Sequence, residues 1–243
     1  MLRAEFVPGG RLRALFHFLY LGVVALMFQS FSADAAPAST QRLVLAFGDS
    51  LTAGYRLKPN ESFPAQLEAA LKAEGRNVRV HNAGVSGDTT AGGKARLAWV
   101  LNGLKQKPDL AILELGANDM LRGFDPKVTR ANLDAMMAEF RKRGIPVVIA
   151  GMFSSPNLGM RYFDEFNAIY PELARKYDAT LYPFFLKGVA FNRPLLLEDG
   201  IHPNKQGVAL ITKNILPTVR KALDGLPRPA RAPGVSVPAR AAN

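Results

Sequence analysis

Between residues 42 and 223, short apolar runs take turns with segments whose apolar residues recur every three or four positions. That alternation restricts the chain more than any other feature. Apolar runs with no in–out alternation suit strands covered on both faces, and the segments of helical period supply the covers. The expectation is therefore an α/β fold around a parallel sheet. Strands are expected at 42–47, 78–82, 109–115, 147–150 and 180–182. Helices are expected at 63–73, 129–143, 162–177 and 205–223, and Trp99 falls in a further one. The helix at 129–143 is the clearest: Leu133, Met136, Met137 and Phe140 share one side, and Gly144 stops it before Pro146 opens the next strand. In open sheets of this kind, ligands bind beyond the carboxyl ends of the strands.

Three blocks place chemically useful residues near that edge. Gly48-Asp49-Ser50-Leu51-Thr52-Ala53-Gly54-Tyr55 follows the first expected strand, and Gly116-Ala117-Asn118-Asp119 follows the third. Asp199-Gly200-Ile201-His202-Pro203-Asn204 comes just before the last helix. Together they hold a hydroxyl nucleophile, an amide donor, and a histidine with a carboxylate three residues away, the parts needed for acyl transfer. Ser50 after Gly-Asp equally suits an N-cap, and Asp199-Gly200 equally suits a turn with Asn204 capping the last helix. Gly84, after the second strand, would let a ligand approach its backbone N–H. The candidate oxyanion donors are thus the N–H groups of Ser50 and Gly84 and the side-chain amide of Asn118. Asp49, Asp88 and Asp119 read as loop hydrogen-bonders. Of three histidines, His17 is near the N-terminus and His81 lies inside an expected strand, which leaves His202 as the candidate base, with Asp199 to orient it. No G-x-S-x-G elbow surrounds Ser50, which argues against an α/β-hydrolase.

Other chemistries lack their residues. The chain has no cysteine, and no spacing of His, Asp or Glu suggests a metal site. Neither a Walker sequence nor a dinucleotide fingerprint follows the first strand, so no cofactor is inferred. The formal net charge is +11, carried by dispersed Lys and Arg without any nucleic-acid-binding signature. This reads as a solvated basic surface, with weak association to anionic membranes left open.

The two ends read differently from the body. Arg3, Arg11 and Arg13 precede an apolar stretch at 14–28 and a small-residue site, Ala33-Asp34-Ala35. That order predicts a signal peptide at 1–35 and an exported, periplasmic or secreted protein, against the alternative of an uncleaved anchor. A linker at 36–41 would lead into the domain at 42–223. Residues 224–243, rich in Pro, Ala and Arg, are expected to be disordered.

GDSLTAGY, the glycine of NAGVSGDTTAGG, GAND and DGIHPN resemble the four blocks of the SGNH, or GDSL, hydrolases. ESFPAQLEAAL, ILELGANDMLRG, FNAIYPELA and YPFFLKGVA are similar to one branch, the periplasmic thioesterase I/lysophospholipase L1/arylesterase group. The resemblance implies a flavodoxin-like three-layer α/β/α sandwich with a central, mostly five-stranded parallel sheet. It implies Ser50 as nucleophile, His202 and Asp199 as base and partner, and Gly84 and Asn118 as oxyanion donors. The substrate would be a small acyl ester, thioester or lysophospholipid, handled by a monomer without nucleic acid. An esterase for acetylated carbohydrates, or a non-catalytic lipid- or glycan-binding module on the same scaffold, stands as the alternative.

Overall fold

The computed structural model describes residues 41–227. The expected signal peptide, the linker up to residue 40 and the tail beyond residue 227 lie outside the described residues. Five strands form one parallel sheet in the order β2-β1-β3-β4-β5. They are β1 (Arg42–Gly48), β2 (Val78–Gly84), β3 (Leu110–Glu114), β4 (Val147–Ala150) and β5 (Thr180–Tyr182). The central strands β1, β3 and β4 are buried almost throughout, as their unbroken apolar runs require. Edge strand β2 alternates buried and exposed positions over most of its length.

Eight helices connect them among the described residues: α1 (Ser50–Ala53), α2 (Phe63–Ala73), α3 (Thr90–Gly103), α4 (Ala117–Leu121), α5 (Pro126–Lys142), α6 (Met160–Asn167), α7 (Ile169–Tyr177) and α8 (Lys205–Asp224). Right-handed crossovers put α2, which leads from β1 outward to β2, on the face opposite α3, α5 and α7, which lead the chain the other way. Helix α8 packs beside α2, and α5 packs beside both α3 and α7. The sheet is thus covered on both faces, giving the expected three layers.

The elements differ from expectation in informative places. Helix α5 starts at Pro126 rather than 129 because the Asp125 side chain caps it, accepting the Lys127 N–H at 2.9 Å. The single helix expected at 162–177 is instead α6 followed directly by α7. Pro171 has no N–H for the carbonyl of Asn167, so the ladder is interrupted at that join. At the far end, Arg42 donates to the Pro227 carbonyl at 2.5 Å, and Arg76 pairs with Asp224 at 2.7 Å. Chain direction across the sheet reverses at β1: the first connection runs outward to β2, and all later ones run through β3 toward β5. The topological switch point therefore lies at the carboxyl ends of β1 and β3, where open sheets of this kind bind ligands.

Candidate active site

Ser50 is the first residue of α1, immediately beyond β1. The cap of that helix is Asp49, whose Oδ1 accepts the Leu51 N–H at 2.9 Å, so Ser50 does not act as the cap and its hydroxyl is left for another partner. That partner is His202, 152 positions along the chain, with Nε2 2.9 Å from Ser50 Oγ. On the other side of the ring, Nδ1 lies 2.9 Å from Asp199 Oδ2. Asp199 Oδ1 also accepts the backbone N–H groups of Ile201 (2.9 Å) and His202 (3.0 Å). Partial burial would raise the Asp199 pKa, but these two N–H groups and the imidazole outweigh it and hold the carboxyl at about 2. An ionised Asp199 accepts from Nδ1–H, which leaves Nε2 as the acceptor for the Ser50 proton.

The loop carrying this pair is closed on itself. Leu197 N–H donates to the His202 carbonyl at 2.7 Å. Asn204 caps α8 through Gly207 N–H and donates to the Pro194 carbonyl at 2.9 Å. The turn and capping roles read for Asp199-Gly200 and Asn204 therefore coexist with the histidine contact. The Tyr55 ring packs on the imidazole with centroids 4.4 Å apart, which restricts its rotation.

Asn118, at the start of α4, reaches the same place from β3. Its Nδ2 donates to Asp49 Oδ2 at 3.1 Å and to the Asp88 carbonyl at 2.9 Å, joining the loops after β1, β2 and β3. Gly84 is placed differently from expectation. Its N–H already donates to Asn82 Oδ1 at 3.0 Å. A Cβ there would strike the backbone of α1, with Ala53 Cα at 2.7 Å and Ala53 N nearer still. The glycine serves the close approach of α1 to β2, and its N–H is not open to a ligand. The residue that the sequence reading passed over is Gly87, three positions on. It is exposed, has φ +83° and adjoins the Asp88 carbonyl that Asn118 holds. Among the described residues its N–H meets no acceptor. The signal available in the sequence was the second glycine of the same loop, within Ser86-Gly87-Asp88.

Arg96 of α3 clamps the strand ends behind the site. Its guanidinium donates to Asp88 Oδ2 (2.6 Å), the Ala83 carbonyl (2.8 Å) and the Gly48 carbonyl (2.9 Å), and it stacks on Phe47. Asp119 is fully buried and accepts from the Thr90 N–H at 2.8 Å, from the Thr90 hydroxyl and from the Thr129 hydroxyl. Asp49, Asp88 and Asp119 thus all act as loop hydrogen-bonders. His81 sits within β2 opposite Leu45, away from the catalytic-type cluster. Among the described residues no group of His, Asp and Glu could hold a metal ion, and no helix is long and apolar enough to cross a membrane.

A hydroxyl, an imidazole and a carboxylate in line, beside an amide at a switch point of a five-stranded sheet, invite comparison with known proteins. Residues 46–210 match the GDSL-like Lipase/Acylhydrolase family. The chain belongs to that family. Within and around this lipase/acylhydrolase group, the chain is 40% identical over 193 residues to an arylesterase of Vibrio mimicus, a match spanning 79% of this chain and 95% of that protein. It is 35% identical over 195 residues to the thioesterase 1/protease 1/lysophospholipase L1 of Escherichia coli K12, spanning 80% of this chain and 88% of that protein. Among solved structures, AlinE4, an SGNH-hydrolase family esterase, is 50% identical with a TM-score of 0.65, covering 76% of this chain and 98% of that one.

Proposed function

We propose that this acylhydrolase cleaves small acyl and aryl esters and thioesters through an acyl-Ser50 intermediate. The observation that carries the reading is the unbroken contact from Ser50 Oγ through His202 to Asp199. His202 Nε2 takes the Ser50 proton as Oγ bonds to the acyl carbon, and Asp199 stabilises the imidazolium that forms. The carbonyl electron pair moves onto oxygen, where the Ser50 N–H and the Gly87 N–H serve as donors, joined by the Asn118 amide as it exchanges the Asp88 carbonyl for the substrate oxygen. Helix-start N–H groups have no partner within the helix, so the Ser50 N–H is suited to this role. When the carbonyl re-forms, the bond to the leaving oxygen or sulfur breaks, and His202 delivers the proton to it. Water then gives a proton to His202 and its oxygen attacks the acyl carbon. Release of the acid returns the proton to Ser50 Oγ.

Substrate class follows from the apolar side chains on loops at the same end of the sheet. Phe153, Ile201 and Val85, in segments that follow β4, adjoin His202 and follow β2, all leave large apolar surface in solvent. Phe153 stacks on Phe184 with centroids 4.9 Å apart. The segment after β4 divides its labour: Met152 is buried in the core, while Phe153 and Leu158 face outward. An apolar rim suits an acyl chain or aryl ring better than a sugar. The lone tryptophan, Trp99, is exposed on α3 and offers no stacking platform at the site.

We further infer an exported protein, on the basic–apolar–small-residue order of residues 1–35, whose dispersed excess of Lys and Arg favours weak contact with anionic membrane surfaces. The deciding experiment for the activity is turnover of p-nitrophenyl acyl esters by Ser50→Ala at unchanged far-UV circular dichroism. Turnover is expected to vanish, and its retention would remove Ser50 from the chemistry. For the surface contact, liposome binding by chains with and without residues 225–243 should differ at low salt and converge at high salt.

A further inference from the structure

Directly behind Ser50 lies a second carboxyl pair that the reaction above does not use. Glu114 ends β3 opposite Gly48 in the sheet register and is wholly buried, and Asp49 is almost equally so. An acid at the end of a central strand is costly, and a leucine would fill the volume at lower cost. The sequence nonetheless makes room for it. A Cβ at Gly48 would lie nearest the Thr52 hydroxyl and 2.6 Å from both the Glu114 backbone carbonyl and Glu114 Oε2, so the glycine before Asp49-Ser50 admits the close packing of α1 and β3 as well as the acid.

The hydrogen bonds around the pair locate its charge and its proton. Asp49 Oδ1 accepts from Leu51 N–H and Oδ2 from Asn118 Nδ2. Glu114 Oε2 accepts from the Thr52 hydroxyl at 2.7 Å, the Asp49 backbone N–H also lies toward the Glu114 carboxyl, and Glu114 Oε1 is left without a hydrogen-bond partner among the described residues. The two carboxyl groups are neighbours in the buried space behind Ser50, and each acts on the ionisation of the other. Two buried neighbouring carboxylates do not both stay charged, so the pair keeps a proton, and the unpartnered Glu114 Oε1 is the atom free to carry it. The negative charge belongs on Asp49, where two N–H donors meet it, and the proton on Glu114.

We propose that Glu114 is held as a neutral carboxylic acid at neutral pH, donates its Oε1 proton to the Asp49 carboxylate, and through Asp49 positions the Asn118 amide for the reacting carbonyl. Glu114 is then a positioning residue, two hydrogen bonds removed from substrate. Asn118 Nδ2 carries two hydrogens. Asp49 holds one, which leaves the other on the Asp88 carbonyl beside Gly87, the hydrogen that would pass from that carbonyl to a substrate oxygen entering there. Burial, followed by the neighbouring charge of Asp49, pushes Glu114 well above the usual carboxylate range, in keeping with this arrangement.

This inference rests on the acyl-Ser50 reading, and the test separates the two. Glu114→Gln keeps an N–H donor of the same shape, whereas Glu114→Met fills the site without one. Infrared difference spectra at neutral pH should show a protonated carboxylic C=O stretch that disappears in E114Q. E114M should lose about 10- to 100-fold in kcat, below the full cost of deleting an oxyanion donor, with KM little changed, while E114Q stays within about tenfold of the parent. Absence of the band, a kcat for E114M equal to the parent, or a loss expressed in KM alone would overturn the proposal. Should E114M fail to fold, the infrared band and the kcat of E114Q decide. Ser50→Ala run in parallel keeps the outcomes distinct: turnover retained there defeats the acyl-Ser50 reading, while turnover lost there with E114M unaffected defeats only the role of Glu114.

Discussion

Two carboxyl sites flank the same serine and behave in opposite ways. In front, Asp199 sits on a partly exposed turn, where backbone N–H groups and the imidazole bring its pKa down to about 2. Behind, Asp49 is enclosed at the start of α1, and burial pushes its pKa up to about 6 despite the N–H of Leu51, the nearby His202 and the Asn118 amide. The chemical group is the same; hydration and the count of N–H donors differ. The front acid is kept charged so that it can hold a cation forming beside it. The rear pair keeps one proton, which makes it a rigid hydrogen-bond link rather than a charge.

The strongest way to break this contrast is to neutralise the front acid. Asp199→Asn is expected to lower kcat by about 10⁴-fold, by analogy with triads in which the histidine is left in the wrong tautomer. Steady-state turnover with a p-nitrophenyl ester measures it, and a change below tenfold would mean Asp199 does not orient the ring. Asn118→Ala, which cuts the link between rear pair and substrate, should cost about 10²- to 10³-fold in kcat with KM nearly constant. Arg96→Met removes the cation facing Asp88 and three strand-end contacts, with an expected loss of about 3 kcal/mol in urea unfolding. Thr52→Val strips Glu114 of its hydroxyl donor, and about 1–2 kcal/mol of stability should go with it.

The smallest expected effect is in pH dependence. A carboxyl whose folded pKa is depressed contributes stability above its unfolded value, here 3.8, and loses it as pH falls through the folded value of about 2. The difference in melting temperature between parent and Asp199→Asn should therefore shrink between about pH 4 and 2. For Asp49 the sign reverses. Its raised pKa means the folded state holds a proton that the unfolded state has released, so its contribution falls as pH rises from 3.8 toward 6.

Local pattern carried most of the architecture. Strands β4 and β5 and helix α2 fall where apolar runs and period placed them, because those signals are written in neighbouring residues. The interruption at Pro171 and the Asp125 cap are also local signals, which the bounds expected for those two helices do not use. The site was legible as residue types: Ser50, Asn118, Asp199 and His202 all reach one rim. Gly84 was not legible, because what fills the space beside a glycine depends on α1 folding back over β2. Nor was Glu114, which in the sequence is one acid at the end of an apolar run.

By itself the sequence determined the layered α/β class, the switch-point edge and the inventory of reactive groups, since these depend on periodicity and on side-chain chemistry alone. Tertiary structure decided which hydrogens are already engaged and which carboxyl groups are enclosed together behind the serine. Those outcomes depend on contacts between residues as far as 152 positions apart, and on how much water is excluded where they meet.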